Sequence, residues 1–352
     1  MSAPGATQPR GALLVGSVPL DDTEQVLRVA ARELGDHLAR IPDGETGERA
    51  GWVAWQGQNF KLRGLRVVAP APGQYPPTPR FAPVSDAVDL AGLQFGSLGF
   101  AQAALDGWRV FEALHNDGVI APGTRFQVSL PTPLAPVAMF VVDEHRAALA
   151  PAYEAAMRRE LARIVSAIPA QRLAIQWDIC IEVWIWERWL TSPWDDVEEG
   201  LVAAVARAGS WVPAGAQLGH HYCYGDFRHE HFNQPRDAAV MVAMANRMVA
   251  ATPRRVDWVH LPVPIERTDD AFYAPLARLR LEAGTDLHLG LIHSRDGVPG
   301  ARLRVARALA HVPAFGVACE CGMGRRPAGR GGDEAGIVGL LRTHAAVAAP
   351  IR

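Results

Sequence analysis

The strongest constraint on the fold is the alternation of short β-type runs with longer segments of helical periodicity. Apolar residues recur at three- and four-residue steps between the runs, for example at Tyr153, Met157 and Leu161. The eight β-type runs span residues 12–17, 37–44, 125–130, 173–178, 216–223, 256–262, 287–293 and 315–321. Strands that alternate with helices form a parallel sheet covered by helices. We therefore predict an α/β fold of the (β/α)8 TIM barrel type, with an open doubly wound sheet as the alternative.

Length and composition fit one domain of this kind. A chain of 352 residues with 49% hydrophobic residues can bury a large core. The longest connection follows the second run, where APAPGQYPPTPRFAPVSD is too rich in Pro for regular structure. Residues 57–120 are therefore predicted to be an insertion between strands two and three that covers the barrel rim. No repeat or linker divides the sequence, so residues 1–352 are predicted to be a single domain.

The charge balance argues against two classes of partner. The formal net charge is -2, and acidic and basic residues are mixed along the chain, so neither nucleic acid nor an anionic membrane is expected as a partner. No run of 18 apolar residues occurs, and the N-terminus does not resemble a signal peptide. We expect a cytoplasmic protein that acts on small molecules, with its four cysteines reduced. The sequence does not indicate the oligomeric state.

Reactive side chains stand at the ends of nearly all the β-type runs, whereas the interiors of the runs are apolar. They are Ser17, Asp43, Glu45, Ser129, Thr132, Asp178, His221, Cys223, His260, His293, Glu320 and Cys321. Any one of them could simply cap a helix or pack in the core. In a TIM barrel, however, the C-terminal ends of all the strands meet at one face, which carries the chemistry. Their shared position predicts a functional site at the barrel mouth.

Two cysteines and a histidine among these residues have the spacing of a metal site. His221 and Cys223 would point to the same face of a strand, because residues i and i+2 do so. Cys321 ends the eighth run, so its sulfur would approach them across the barrel mouth. A catalytic zinc ion takes N, S or O donors and keeps one position for substrate or water. We predict these three residues as ligands and His260 as the fourth, with Glu266 or the substrate as alternatives for the fourth position. The competing interpretation is that the thiols are buried and unreactive.

Six motifs, taken in order, resemble the catalytic barrel of cobalamin-independent methionine synthase. That family belongs to a superfamily with zinc-dependent coenzyme M methyltransferases and uroporphyrinogen decarboxylase. The motifs are LLVGSVP, PDGETGER, IQWDICIE, HHYCYGDF, LGLIHSRDGVPG and ECGMGRR, and they occur in the family's order over nearly the whole length of the chain. One departure concerns the family's glutamate ligand on strand six, which aligns with Pro262 in HLPVPIER. The resemblance implies a divergent single-barrel relative.

The resemblance also implies roles for individual residues. It implies that zinc is held by the His-x-Cys pair and the late Cys, that His293 donates a proton, and that Asp178 binds the substrate; we predict His293 and Asp178 as the catalytic residues. The resemblance implies that Glu45 helps to hold the substrate, and we predict Ser17, Asp43 and Arg325 as further substrate-binding residues. The expected reaction is transfer of a methyl or similar alkyl group from a carrier such as a methyltetrahydrofolate to a zinc-bound substrate thiolate. Coordination would help because a free thiol of pKa about 8.5 is mostly protonated at neutral pH.

Two other functions stay open at this stage. One is a metal-free lyase or decarboxylase on the same barrel, with Asp178, Glu45 and His293 as acid and base and the thiols merely packed. The other is a barrel that binds a ligand without turning it over. Metal content separates the first from the alkyltransferase, and turnover separates the second.

Overall fold

A parallel eight-stranded sheet forms the centre of the protein. The computed structural model describes residues 8–69, 78–227, 230–231, 234–324 and 332–352. The sheet strands are β1 (Ala12–Leu13), β2 (Arg40–Pro42), β3 (Arg125–Pro131), β4 (Leu173–Ile179), β5 (Gln217–Tyr222), β6 (Trp258–Pro262), β7 (Asp286–Ile292) and β8 (Gly316–Cys319). Their order is β1-β8-β7-β6-β5-β4-β3-β2, and a parallel bridge from Ala12 to Leu38 brings the two edges together. The sheet therefore closes as a barrel. The predicted (β/α)8 fold is confirmed, and the open-sheet alternative is wrong.

Helices surround the barrel. They are α1 (Thr23–Leu34), α2 (Phe100–Asn116), α3 (Leu134–Phe140), α4 (Arg146–Ala167), α5 (Ile181–Trp186), α6 (Val197–Ser210), α7 (Ala239–Ala251), α8 (Asp270–Tyr273), α9 (Gly297–Leu309) and α10 (Glu334–Val347). Capping side chains begin several of them, as at α1, where Asp22 accepts a hydrogen bond from the Gln25 amide. Within the described residues, no helix is both long enough and apolar enough to cross a membrane.

The segment between β2 and β3 differs from the prediction. Helix α2 packs on the outside of the barrel, where the rings of Phe111 and Phe126 lie 5.3 Å apart. A Cβ at Gly107 would lie 2.9 Å from the Cβ of Asp43, so the helix approaches the end of β2 closely. Helix α2 is thus the barrel's own second helix, and the predicted insertion of residues 57–120 wrongly included it. The Pro-rich segment also contains a strand, Arg80–Pro83, which pairs antiparallel with Leu65–Val68; residues 70–77 lie outside the described residues.

The strand register brings the polar strand ends to one level. Asp178 on β4 is in register with His221 on β5, and His221 is in register with His260 on β6. Residues paired across parallel strands point to the same face of the sheet. These three side chains therefore form a row across the barrel mouth, which no spacing within the sequence could specify.

The barrel interior below this row contains polar groups that bond to one another. The Gln176 side chain donates hydrogen bonds to the Val15 carbonyl at 2.6 Å and to Asp178 Oδ1 at 2.9 Å. The guanidinium of Arg40 lies 4.1 Å from the ring centroid of Trp258. Trp258 also covers Gly219 on the neighbouring strand, where a Cβ would lie 1.8 Å from the indole. These contacts hold β4, β5 and β6 in position relative to one another beneath the site.

Candidate metal centre

Three buried side chains from two distant segments converge at the barrel mouth. His221 is the second-last residue of β5, Cys223 follows that strand directly, and Cys321 lies two residues beyond β8. The Cys223 and Cys321 sulfurs are 3.4 Å apart, and Cys321 Sγ is 3.8 Å from His221 Nε2. All three donor atoms lie within 4.8 Å of one another. The cysteines are free thiols, since a disulfide would hold its sulfurs about 2.05 Å apart. The structure thus brings together the predicted His, Cys and Cys.

A second histidine orients the first. His260 Nε2 donates to the Cys319 carbonyl at 3.0 Å, so His260 Nδ1 is the acceptor in its 2.7 Å contact with His221 Nδ1. His221 Nδ1 therefore carries the ring proton, which leaves the lone pair of Nε2 facing the Cys321 sulfur. Burial lowers the pKa of His260 to about 4, so its ring stays neutral near pH 7.

This geometry corrects the prediction that His260 is the fourth ligand. Both of its ring nitrogens are engaged, one by a backbone carbonyl and one by His221. Glu266, the alternative candidate for the fourth ligand, is engaged elsewhere. It forms a 2.7 Å ion pair with Arg295, and both side chains are more than half exposed. The loop after β6 turns outward, and the sequence held no signal for that direction.

The Cys223 sulfur accepts a backbone hydrogen bond. The Gly225 amide donates to Cys223 Sγ at 3.2 Å, and Gly225 has a φ of +76°, which a glycine adopts without strain. The Trp184 indole donates to the Tyr224 carbonyl at 2.7 Å and so holds the same turn. An amide that points at sulfur favours the thiolate over the thiol.

Ser17 anchors the loop that carries Cys321. Its carbonyl accepts from the Met323 amide at 2.7 Å, and its hydroxyl accepts from the Gly324 amide at 3.1 Å. A Cβ at Gly322 would lie 2.3 Å from this hydroxyl, so only glycine fits there. Ser17 is 3% exposed, and its hydroxyl positions the loop that carries Cys321, whereas the sequence predicted contact with substrate. Arg325, predicted to bind substrate, lies outside the described residues.

Asp178 and two indoles form one wall beside the thiols. Asp178 Oδ2 accepts from the Trp52 indole at 3.2 Å, and the residue is in register with His221. Trp52 and Trp184 pack against a cluster of buried thiols that includes Cys180 as well as the two candidate ligands. The wall therefore combines an acid with aromatic surface, which suits a ligand with a cationic group on an apolar frame.

The turn after β2 holds Glu45 in an uncommon backbone conformation. Asp43 Oδ1 accepts from the Glu45 amide at 2.9 Å, while Asp43 Oδ2 binds Arg49 at 2.8 Å. Glu45 has a φ of +47°, and a Cβ at Gly16 would lie 3.0 Å from its Oε1. Asp43 thus supports the turn, and the Glu45 carboxylate reaches the end of β1. A strained non-glycine residue of this kind is typical of functional sites.

His293 and Glu320 form a buried pair at the ends of β7 and β8. His293 Nε2 donates to the Val263 carbonyl at 2.9 Å, and His293 Nδ1 lies 2.9 Å from Glu320 Oε2. Both side chains are nearly fully buried. The ring is thus oriented at both nitrogens, and the pair can hold a proton between Nδ1 and the carboxylate.

Sequence reasoning missed several residues of this site. Cys180 belongs to the thiol cluster but is absent from the predicted site, although it follows Asp178 by two residues as Cys223 follows His221. That parallel spacing at two neighbouring strand ends was a usable signal. For Trp52 no such signal existed, because it comes from the long connection after β2.

Comparisons with known proteins do not identify a family. No protein-family model matches the sequence, and no curated protein matches it. Among solved structures, the carboxyl transferase domain of Rhizobium etli pyruvate carboxylase is similar at 10% identity with a TM-score of 0.28; the match covers 99% of this chain and 55% of that chain. The chain thus spans about half the length of that neighbour.

Proposed function

We propose that this protein is a zinc-dependent alkyltransferase similar to cobalamin-independent methionine synthase. It would transfer a methyl or similar alkyl group from a carrier, such as a methyltetrahydrofolate, to the sulfur of a small thiol substrate. The single observation that supports this proposal most is the convergence of His221, Cys223 and Cys321 at the barrel mouth. Nitrogen and sulfur donors of this kind are typical zinc ligands.

Two of the three donor separations are close to those at a tetrahedral zinc ion, and all three donors lie within 4.8 Å of one another. Two sulfurs bonded to one tetrahedral zinc at about 2.3 Å lie about 3.7 Å apart. The Cys223 and Cys321 sulfurs are 3.4 Å apart, and the sulfur of Cys321 is 3.8 Å from His221 Nε2. His260 and the Gly225 amide already orient the nitrogen and one sulfur as ligands would require.

Three protein donors leave one position of a tetrahedron for a substrate atom. Zinc bound by the three protein donors would act as a Lewis acid on a substrate thiol in that position and favour its thiolate form at neutral pH. The indoles of Trp52 and Trp184 pack against the thiols and give the site an apolar wall. A set of three protein donors within the described residues agrees with a catalytic rather than a structural zinc site.

The surrounding residues supply the remaining functions. The carboxylates of Asp178 and Glu45 would bind a cationic group of the substrate or the ring nitrogens of the donor. His293 would be the proton donor to the nitrogen of the departing carrier, and this role requires one ring nitrogen to leave its present partner, the Val263 carbonyl or Glu320. That nitrogen must be protonated, because the carrier would otherwise depart as a nitrogen anion, which is a poor leaving group.

Metal content tests the proposal first. Protein purified without added metal should contain about one zinc ion per chain, as expected for a three-ligand site. His221→Ala and Cys321→Ser should lose that zinc. Cys319→Ser is the matched control, because Cys319 is a buried thiol whose sulfur lies 4.0 Å from His344 rather than in the cluster. Equal zinc in all four proteins, or none in the wild type, would contradict the proposal.

Turnover tests the reaction itself. Zinc-loaded protein is incubated with pairs of thiols and methyl donors, and products are detected by mass spectrometry. Methylated thiol that is formed by the wild type and lost in Cys223→Ser is the expected result. Decarboxylation or elimination that survives in Cys223→Ser would instead favour a metal-free lyase, and binding without any turnover would favour a non-catalytic barrel.

A further inference from the structure

The candidate metal centre is nearly closed to solvent in this structure. Cys223 is 3% exposed, Cys321 is 7% exposed, and Asp178 beside them is 6% exposed. Among the described residues, Trp52 and Trp184 pack against the thiols, and both are partly exposed, so they lie between the thiols and solvent. A substrate that reaches the metal position must therefore displace part of the protein.

Trp184 is held firmly in its place. Its indole donates to the Tyr224 carbonyl at 2.7 Å, and the residue lies inside α5, which packs between α3 and α6. Movement of Trp184 would disrupt both this helix and the turn that follows Cys223. Such an opening would expose packed surface at several elements, so Trp184 is poorly suited to move alone.

Trp52 is held less firmly, and its backbone is strained. Within the part of the chain that the structure describes, its indole makes one hydrogen bond, to Asp178 Oδ2 at 3.2 Å. Its φ of +58° and ψ of -111° are a conformation that glycine adopts readily and a bulky residue does not. Strain of this kind persists only while the surrounding contacts impose it. Loss of the contact with Asp178 therefore favours a different conformation of Trp52.

The chain on either side of Trp52 allows a local movement. Arg49 forms a 2.8 Å ion pair with Asp43 at the end of β2 and so anchors the loop before it. Val53 directly after it is 1% exposed, and exposed Gly51 directly before it has no side chain to obstruct rotation. A few residues between two anchors can thus absorb the change, as hinges do.

We propose that Trp52 is a movable cover of the candidate metal centre, which closes the site by donating to Asp178 and swings towards solvent when a ligand enters. A ligand with a cationic group would compete for Asp178 Oδ2, because opposite charges attract more strongly than a carboxylate and a neutral indole. Its binding would shift the protein from the closed to the open form. The movement goes beyond the proposed alkyl transfer, since it depends on the position of the site and requires neither zinc nor turnover.

Thiol labelling of the metal-free protein tests the movement. Iodoacetamide is added, and tandem mass spectrometry follows the label on each cysteine. In the wild type, Cys321 should be labelled at a rate that low concentrations of urea do not change, because a local opening exposes little surface. Cys319 is the internal control: it is 3% exposed, and its sulfur lies 4.0 Å from His344 in α10. Its labelling requires wider unfolding and should accelerate with urea.

Variants of Trp52 identify the cover. Trp52→Gly removes the indole and relieves the strained backbone, so Cys321 should be labelled at least about tenfold faster. Trp52→Phe keeps a ring but lacks the donor, and we expect labelling about tenfold faster because a hydrogen bond to a charged group is lost. Asp178→Ala should have a similar effect, and combining it with Trp52→Phe should add little. Trp186→Ala is the matched control, because this partly exposed indole lies 5.5 Å from the Arg247 guanidinium; it should be labelled like the wild type.

Two results would overturn the proposal. One is equal labelling of Cys321 in the wild type, Trp52→Gly and Trp52→Phe. The other is labelling of Cys321 and Cys319 in the wild type at the same rate and with the same dependence on urea, because both thiols would then become accessible only on unfolding. If Trp52→Gly also accelerates Cys319, its fold is impaired and Trp52→Phe decides. Absence of zinc from purified protein would contradict the alkyltransferase but would leave these labelling rates unchanged.

Discussion

The Nδ1 atoms of His221 and His260 lie 2.7 Å apart, and the direction of the proton between them decides what each histidine can do. Because His260 Nε2 is bonded to the Cys319 carbonyl, His260 accepts and His221 donates. The first histidine is left with a lone pair at the candidate metal centre, and the second becomes the residue that orients it. This contact joins β5 to β6, and the hydrogen bond from His260 to the Cys319 carbonyl joins β6 to the end of β8.

Removal of His260 should weaken zinc binding without removing a ligand. We expect His260→Ala to lower zinc affinity about 10–100-fold, as loss of an orienting partner does at other metal sites. Competition with a chromogenic chelator measures this affinity, and circular dichroism verifies folding. His311→Ala, which removes a histidine paired with Asp270, should bind zinc as tightly as the wild type. Unchanged affinity in His260→Ala would refute the orienting role.

Cobalt substitution should report the sulfur ligands directly. Protein loaded with Co²⁺ should show the visible bands of a tetrahedral site together with sulfur-to-cobalt charge-transfer absorption. Cys223→Ser and Cys321→Ser should each reduce the charge-transfer absorption, because each removes one thiolate. Cys319→Ser should retain it. Spectra of an octahedral, oxygen-ligated ion in the wild type would contradict the assignment of these ligands.

Glycine at position 219 should be essential to the barrel interior. An added Cβ there would meet the Trp258 indole at 1.8 Å. We expect Gly219→Ala to lower the free energy of unfolding by about 3 kcal/mol or more, as severe overpacking does. Gly35→Ala is the matched control, because Gly35 has a φ of -46° and nothing within 4 Å of its Cβ position; it should be neutral or stabilising by up to about 1 kcal/mol. Denaturant unfolding curves at one pH compare the two variants, and equal losses would show that the clash is absent.

Glu182 should make the wild type less stable as pH rises towards neutrality. Its pKa is raised to about 7 in the folded protein from 4.5, so the folded state keeps a proton that the unfolded state loses. The stabilisation is fully present below pH 4.5 and is lost by the time pH exceeds 7. A shift of this size corresponds to about 3 kcal/mol.

The comparison of Glu182→Gln with wild type isolates this contribution. The difference in unfolding free energy between them should change by about 3 kcal/mol in favour of the variant between pH 4.5 and pH 8. Denaturant titrations across that range measure it. Glu187→Gln should show a smaller change, because Glu187 is only half-buried. A pH-independent difference for Glu182→Gln would contradict a raised pKa.

Most of the barrel could be predicted from local patterns. Each predicted β-type run contains or overlaps one of the eight barrel strands, since apolar runs followed by helical periodicity carry their own signal. The insertion boundary was less accurate, because α2 looks the same in sequence whether it covers the rim or packs beside β3. The neighbouring aromatic rings that settle this, Phe111 and Phe126, meet only in the folded chain.

The sequence by itself determined that the residues at the strand ends meet at one face, and it supplied the His-x-Cys pair and the distant cysteine that could meet there. A period of two along a strand and the common direction of parallel strands were sufficient for that. Only the tertiary structure decided the roles of the residues around them. His260 became an orienting partner, Ser17 an anchor of the Cys321 loop, and Glu266 a surface ion pair. These roles depend on the register between strands and on contacts with backbone carbonyls and amides. Backbone groups are chemically alike in nearly all residues, so the amino-acid sequence does not show which of them a side chain will contact.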